Sequence, residues 1–208
     1  PYLNRDPRFY LTIFHNDFKW LNRNIETFEG GRDKPGGIVT QTKTGYYMRK
    51  FMADFTSASV FSNQTHNFPL FRYAEILLNF AEARNEFSGP DSDVYKAIED
   101  IRKRAGLSPF TLPLGLTQAQ MREVIRHERR VEMAFEEQRF WDIRRWKIAE
   151  SVLNGSLHGM KITKTGTTYT YDRIPATNVS FEAPKMYSYP IPYDELTKNN
   201  KLTQNQGW

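Results

Sequence analysis

The chain has 208 residues, with 29 Lys plus Arg against 24 Asp plus Glu, a formal net charge of +5. That size suits one ordinary domain or a domain with an appendage, and the charge is too small to announce a nucleic-acid protein. The sequence has no cysteine, which excludes disulfides, thiolate metal sites and a cysteine nucleophile, and no run of 18 apolar residues offers a helix that spans a bilayer.

The chain opens on Pro1-Tyr2-Leu3-Asn4 without an initiator Met, which reads like the interior of a longer polypeptide. Residues 1–67 are expected to form an irregular loop and strand segment. Gly30, Gly31, Pro35, Gly36 and Gly37 oppose helix. Strands are predicted at Phe9 to Phe14 and at Ile38 to Met52 with a break near Thr44-Gly45, and a polar loop at Thr56 to Phe68.

Residues 68–153 read as helical. Leu70, Ala74, Leu77, Leu78 and Ala81 recur at helical spacing to about Phe87, and Ser88-Gly89-Pro90 supplies a stop. A second helix starts near Asp93, with Val94, Ala97, Ile98 and Ile101 inward, so the two form an αα-hairpin whose offsets are tetratricopeptide-like. Any helical partner missing from the chain would leave apolar surface at Leu77, Leu78 or Ala97. Thr117 and Gln120 predict a capping box opening a third helix, with helical character to about Leu153. Residues 154–208 are predicted to be a β-hairpin around Thr165-Gly166 and an extended tail with a short helical turn at Asp194-Glu195-Leu196. The fold class is therefore mainly α, with a helical hairpin, irregular loops and a small β-hairpin.

Chemistry is sparse. His15, His66, His127 and His158 show no metal-ligand spacing, and neither a nucleophile elbow nor a phosphate-binding loop is present. No cofactor, metal or catalytic group is predicted. Over 122–147, eight Arg or Lys alternate with six acids. This pattern reads either as an anion site or, preferably, as a structural ion-pair network. Arg122, Arg130 and Arg144 have no acid three residues away and need partners elsewhere. Arg129, Arg139, Glu132 and Asp142 are expected to be buried or paired, tying the third helix to the αα-hairpin and the C-terminal tail.

Four motifs occur in order: Arg72-Tyr73-Ala74-Glu75-Ile76-Leu77-Leu78; Ile101-Arg102-Lys103-Arg104-Ala105-Gly106-Leu107; Glu128-Arg129-Arg130-Val131-Glu132-Met133-Ala134-Phe135-Glu136 with Arg139-Phe140-Trp141-Asp142; and Tyr189-Pro190-Ile191-Pro192 with Leu202-Thr203-Gln204-Asn205. Upstream, Asn4-Arg5-Asp6-Pro7-Arg8-Phe9 and Thr44-Gly45-Tyr46-Tyr47 with Lys50 fit the same set. Together they resemble the C-terminal part of a SusD/RagB-type protein. Glu137 departs from the family pattern, standing where glycine is usual, and Asn200 and Gln206 stand where prolines are common.

The resemblance implies a cell-surface nutrient-binding protein of the outer membrane. It would be lipid-anchored through a part that precedes Pro1, and it would deliver oligosaccharide or peptide ligands to a SusC-like TonB-dependent transporter. The alternatives are a glycoside hydrolase using a carboxylate pair and, least favoured, a nucleic-acid module. The resemblance assigns no ligand contacts. Loop position and side-chain type alone point to Trp20 as a stacking surface, with Asn16, Arg32 and Tyr46 as its neighbours.

Overall fold

The computed structural model describes residues 1–34, 41–53, 67 and 69–208. The predicted turn at Pro35-Gly36-Gly37, the strand start at Ile38, most of the predicted loop from Thr56 to Phe68, and His66 lie outside the described residues.

The first element is helix α1 (Pro7–Thr12), where a strand was expected. Pro7 takes the first turn, and the Asp6 carboxylate accepts from the Arg8 amide at 2.9 Å, so cap chemistry overrides the alternating pattern. Only β1 (Ile13–Phe14) is extended. Strands β2 (Lys19–Trp20) and β3 (Arg23–Asn24) pair antiparallel with Trp20 opposite Arg23, and β4 (Tyr47–Met48) pairs antiparallel with β1.

Helices α2 (Tyr73–Ser88) and α3 (Ser92–Arg104) form the expected hairpin. Gly89 closes α2 at φ 82°, and the Asp91 side chain accepts from the Asp93 and Val94 amides at 3.1 Å to open α3. Leu70 lies outside α2 and is exposed. Helix α4 (Gln118–Glu132) starts with the predicted Thr117–Gln120 capping box.

Helix does not run unbroken to Leu153. Phe135 at φ 64° and Glu137 at φ 62° are left-handed, and the chain turns before α5 (Gln138–Arg145). Lys147 at φ 55° breaks it again before α6 (Ala149–Val152). A left-handed non-glycine residue costs roughly 1–2 kcal/mol, which explains why glycine suits position 137.

Strands β5 (Gly155–Thr165) and β6 (Thr168–Val179) make a hairpin longer than the sequence pattern suggested, turning at Gly166 and bulged between Leu157 and His158. The tail carries a 3-10 turn at Lys185–Tyr187 and a final helix α7 (Tyr193–Lys198). Among the described residues there are seven helices and three two-stranded sheets.

Backbone contact pins the hairpin to the N-terminal segment. The Met160 amide donates to the Thr44 carbonyl and the Glu29 amide to the Ile162 carbonyl, both at 2.8 Å. A Cβ at Gly159 would stand 2.6 Å from the Thr44 Cα, and one at Gly45 would stand 2.5 Å from the Met160 carbonyl oxygen. Only glycine allows the two backbones so close.

The main core joins α2, α3 and α4 through Leu78, Ala81, Val94, Ile98, Ile101, Met121 and Ile125, each at most 2% exposed. Leu78 and Ala97 are therefore covered and Leu77 is half-buried, contrary to expectation. The uncovered apolar stripe lies on the other side of α2: Tyr73, Ile76, Phe80 and Phe87, the last 89% exposed. Leu78→Ala is expected to lower stability by about 2–5 kcal/mol. Phe87→Ala should shift it by no more than about 0.5 kcal/mol, a contrast that urea melts would read directly.

Candidate functional site

The four residues singled out from the sequence occupy three environments. Trp20 is only 8% exposed and packs edge-on against Phe14 at 4.7 Å, in a small core with Ile25. It is a core residue rather than an open stacking platform, because Phe14 and Ile25 offer its ring a larger apolar contact than solvent does. One face of that core borders a cavity of about 370 Å³ that Arg23, Asp33, Tyr47 and Met48 also line. Arg23 clamps Asp33 with two hydrogen bonds of 2.7 Å, and this pairing, against the opposing effect of burial, holds the Asp33 carboxyl below the usual carboxylate range.

Asn16 is 1% exposed and its side-chain oxygen accepts from the Thr27 amide at 3.0 Å. Tyr46 lies edge-on to Tyr2 at 6.1 Å, and Tyr2 stacks on His15 at 4.0 Å and meets Tyr171 of the hairpin edge-on at 5.5 Å. The His15 ring in turn lies within hydrogen-bond distance of the Asn16 carbonyl at 2.7 Å, so Asn16 and Tyr46 border one aromatic cluster. Arg32 points away, its side chain 74% exposed and 3.8 Å from Glu26. The cavity that Trp20 borders is not lined by Asn16, Arg32 or Tyr46.

The densest chemistry lies where the last turn of α4 meets α1. Glu128 and Glu132 are 2% and 3% exposed. Arg8 donates to Glu128 at 2.6 Å and to Glu132 at 2.9 Å, and Asp6 holds its other edge at 2.6 Å. Arg72, the residue before α2, donates to Glu132 at 2.6 Å and to Glu136 at 2.5 Å. Arg104 at the end of α3 also donates to Glu132, and Lys50 donates to Glu136 and to the Glu132 and Ala134 carbonyls. Burial pushes the Glu132 carboxyl up, but hydrogen bonds from Arg72 and Arg8 and the charge of Arg104 outweigh it and hold it below the ordinary range.

A second node centres on Arg129, which is 3% exposed. Its Nε donates to both Asp142 oxygens at 2.9 and 2.8 Å, and its Nη atoms reach Asn79 at 2.7 Å and Gln138 at 3.1 Å. Arg129, Glu132 and Asp142 therefore tie α4 to the αα-hairpin as expected, but the remaining link runs to the N-terminal Arg8 and not to the tail. Asn154 holds the tail instead, through both the amide and the carbonyl of Phe181. Arg139 departs from expectation. It is half-buried with no carboxylate hydrogen bond among the described residues, and burial together with the nearby Arg130 lowers its pKa.

Of the arginines that needed partners, Arg122 finds Glu86 on α2 at 2.7 and 2.5 Å, and Arg144 stacks over Phe140 at 3.5 Å. Arg130 has no hydrogen bond or ion pair to a described residue. Arg8, Lys50 and Arg72 belong to the network without any local spacing to mark them, because the Glu132 and Glu136 carboxylates they reach lie 60 to 124 positions away.

Two cavities flank the network and share Arg8, Thr12 and Val131 as a common wall. One of about 230 Å³ is lined by Lys50, Arg72, Arg104, Glu132 and Glu136, and one of about 450 Å³ by Arg5, Phe9, His127, Arg130 and Ala134.

Breaking one partner of a buried ion pair costs about 3–5 kcal/mol. Arg129→Ala is expected to reach that range in urea melts, with Arg139→Ala costing clearly less. The depressed Glu132 pKa stabilises the fold above the unfolded-state value of about 4.3, and that stability is lost as pH falls through the lower folded value. Glu132→Gln should therefore flatten the acid limb of a stability–pH profile. An unchanged limb would show that Glu132 is not the titrating group.

The comparisons with known proteins bear on the whole chain. The SusD family model matches residues 1–208. A SusD-like protein P2 of Formosa agariphila is 34% identical over 148 residues, which is 69% of this chain and 26% of the relative. A SusD-like protein of Bacteroides fragilis NCTC 9343 superposes with a TM-score of 0.83 at 32% identity, covering 100% of this chain and 40% of that one. A SusD-like carbohydrate binding protein from the same organism gives 0.72 at 27% identity, covering 95% of this chain and 41% of that one. The chain thus spans about a quarter of the curated relative's length and two fifths of these solved relatives. Matched by the family model from its first residue to its last, the chain belongs to the SusD family.

Proposed function

We propose that this chain is part of a cell-surface glycan-binding protein that performs no chemistry on its ligand and passes it to a SusC-like TonB-dependent transporter in the outer membrane. A lipid anchor outside the 208 residues would hold it there. The observation that supports this most is the full-length family match, together with the SusD-like carbohydrate binding protein that shares the fold. The state of three carboxylates, one buried and two half-buried, supports it too. A glycosidase acid needs a raised pKa. Here Glu82, Glu132 and Asp33 are all held low by arginine partners.

In this reading α2 and α3 are one tetratricopeptide-like hairpin, and a neighbouring hairpin covers the Tyr73, Ile76, Phe80 and Phe87 stripe. Residues 1–67, 68–153 and 154–208 act as loop segment, helical scaffold and strap. Trp20, Asn16, Arg32 and Tyr46 are its proposed ligand contacts, with Trp20 reaching the ligand only through the cavity it shares with Arg23 and Asp33.

A glycan array on the full-length protein is expected to give binding, and incubation with the bound oligosaccharide should release no new reducing ends. Release of shortened products would overturn the reading in favour of a hydrolase. Trp20→Phe keeps the core filled and should weaken the interaction severalfold; unchanged affinity in a folded variant would remove Trp20 from the ligand surface. The isolated 208-residue chain should bind an apolar dye in part through the α2 stripe, and Phe80→Ser with Phe87→Ser should lower that signal.

A further inference from the structure

The cavity between α1 and α4 has an apolar floor and a cationic rim that the ion-pair network does not consume. Together, the two flanking cavities are lined by six Arg or Lys and three Asp or Glu, so positive charge is in excess there. Most of these cations are engaged. Arg8 spends its guanidinium on Asp6, Glu128 and Glu132, and Arg72, Arg104 and Lys50 converge on Glu132 and Glu136. Two are not. The exposed Arg130 side chain has no partner among the described residues, and the Arg5 side chain donates among them only through its Nε, to the Pro1 carbonyl at 2.9 Å. Both line the cavity of about 450 Å³, and His127 stands on the same wall one helical turn before Arg130.

Beneath them the floor is Phe9, Ile13, Val131 and Ala134. The Phe9 ring is held by stacking on His15 at 5.4 Å and by edge contact with Tyr10 at 5.4 Å, so it is a fixed surface. A volume of this size fits a sugar ring or two. The apolar face of a pyranose suits the floor, and an anionic substituent suits two guanidinium groups that can each offer paired N–H donors. A neutral ligand would leave both arginines unanswered. A nucleic-acid strand would need a continuous basic track, and the acids interleaved along α4 interrupt one.

We propose that the α1–α4 cavity is a subsite for an acidic sugar residue, its carboxylate or sulfate ester held between Arg5 and Arg130. This goes beyond glycan capture in general but rests on that reading, and it predicts a preference for anionic over neutral chains.

The test is calorimetric titration of the full-length protein with trigalacturonate, a sulfated carrageenan tetrasaccharide and maltotriose, before and after Arg130→Gln and the double change Arg5→Gln with Arg130→Gln. Neither arginine supports the fold, so the melting temperature should not move. At least one acidic probe is expected to bind, and the double variant to bind it at least tenfold more weakly; the two acidic probes tell carboxylate from sulfate recognition. Acidic binding that ignores both substitutions would overturn the subsite, and binding of maltotriose alone would overturn the preference while leaving glycan capture standing. Failure of all three probes, with no hit on the glycan array either, would overturn both.

Discussion

Two buried carboxylates one turn apart, Glu128 and Glu132, are the constraint around which the fold is organised. A carboxylate without partners could not stay inside the protein. These two persist because Arg8, Arg72, Arg104 and, at 3.5 Å, Arg102 arrive from three other parts of the chain. Each guanidinium fixes the end of an element: the start of α1, the residue before α2 and the last turn of α3. Such networks add less net stability than their hydrogen-bond count suggests, since desolvation offsets much of the attraction. What they supply is position. The apolar core could tolerate small slides between α2, α3 and α4, whereas a three-arginine clamp on one carboxylate has a single geometry.

That network was only partly legible in the sequence. Local signals worked where local physics decides: the Gly89 stop, the Thr117–Gln120 capping box and the Gly166 turn each formed near the predicted place. They failed where a short cap or a distant partner won. Asp6 and Pro7 turned an apparent strand into α1, and the left-handed residues Phe135 and Glu137 split one long helical pattern so that Asp142 could fold back onto Arg129. The loop segment shows the same limit. Trp20 in an irregular stretch looks available for stacking, yet Phe14 and Ile25, brought in by two short strand pairs, enclose it. The missing nearby acid marked Arg122, Arg130 and Arg144 alike, yet Arg122 pairs with Glu86 and Arg144 lies over Phe140, and Arg130 alone of the three has no side-chain partner among the described residues.

Helix α2 presents apolar residues on both faces. Ala74, Leu78 and Ala81 face α3 and α4, while Tyr73, Ile76, Phe80 and Phe87 face outward. Apolar stripes on two sides suit a helix that is covered on both. Its polar contributions therefore sit at the flank, where Glu82 accepts from Arg145 and, at 2.8 Å, from Trp146, and Asn79 accepts from Arg129. Charge and core thus divide the surface of one helix between them, and α5 is held on it by polar contacts.

The span between Arg8 and its partners has a consequence for the order of events during synthesis. Glu128 lies 120 positions after Arg8. At about 5–20 residues per second, the ribosome delivers it roughly 6–24 s later. Through that interval Arg8 has only Asp6 as a partner, and the Tyr2 ring still lacks Tyr171. Arg8 and Tyr2 therefore complete their native contacts only after α4 and the β5–β6 hairpin have emerged, so the first part of this chain to be made is among the last to be finished.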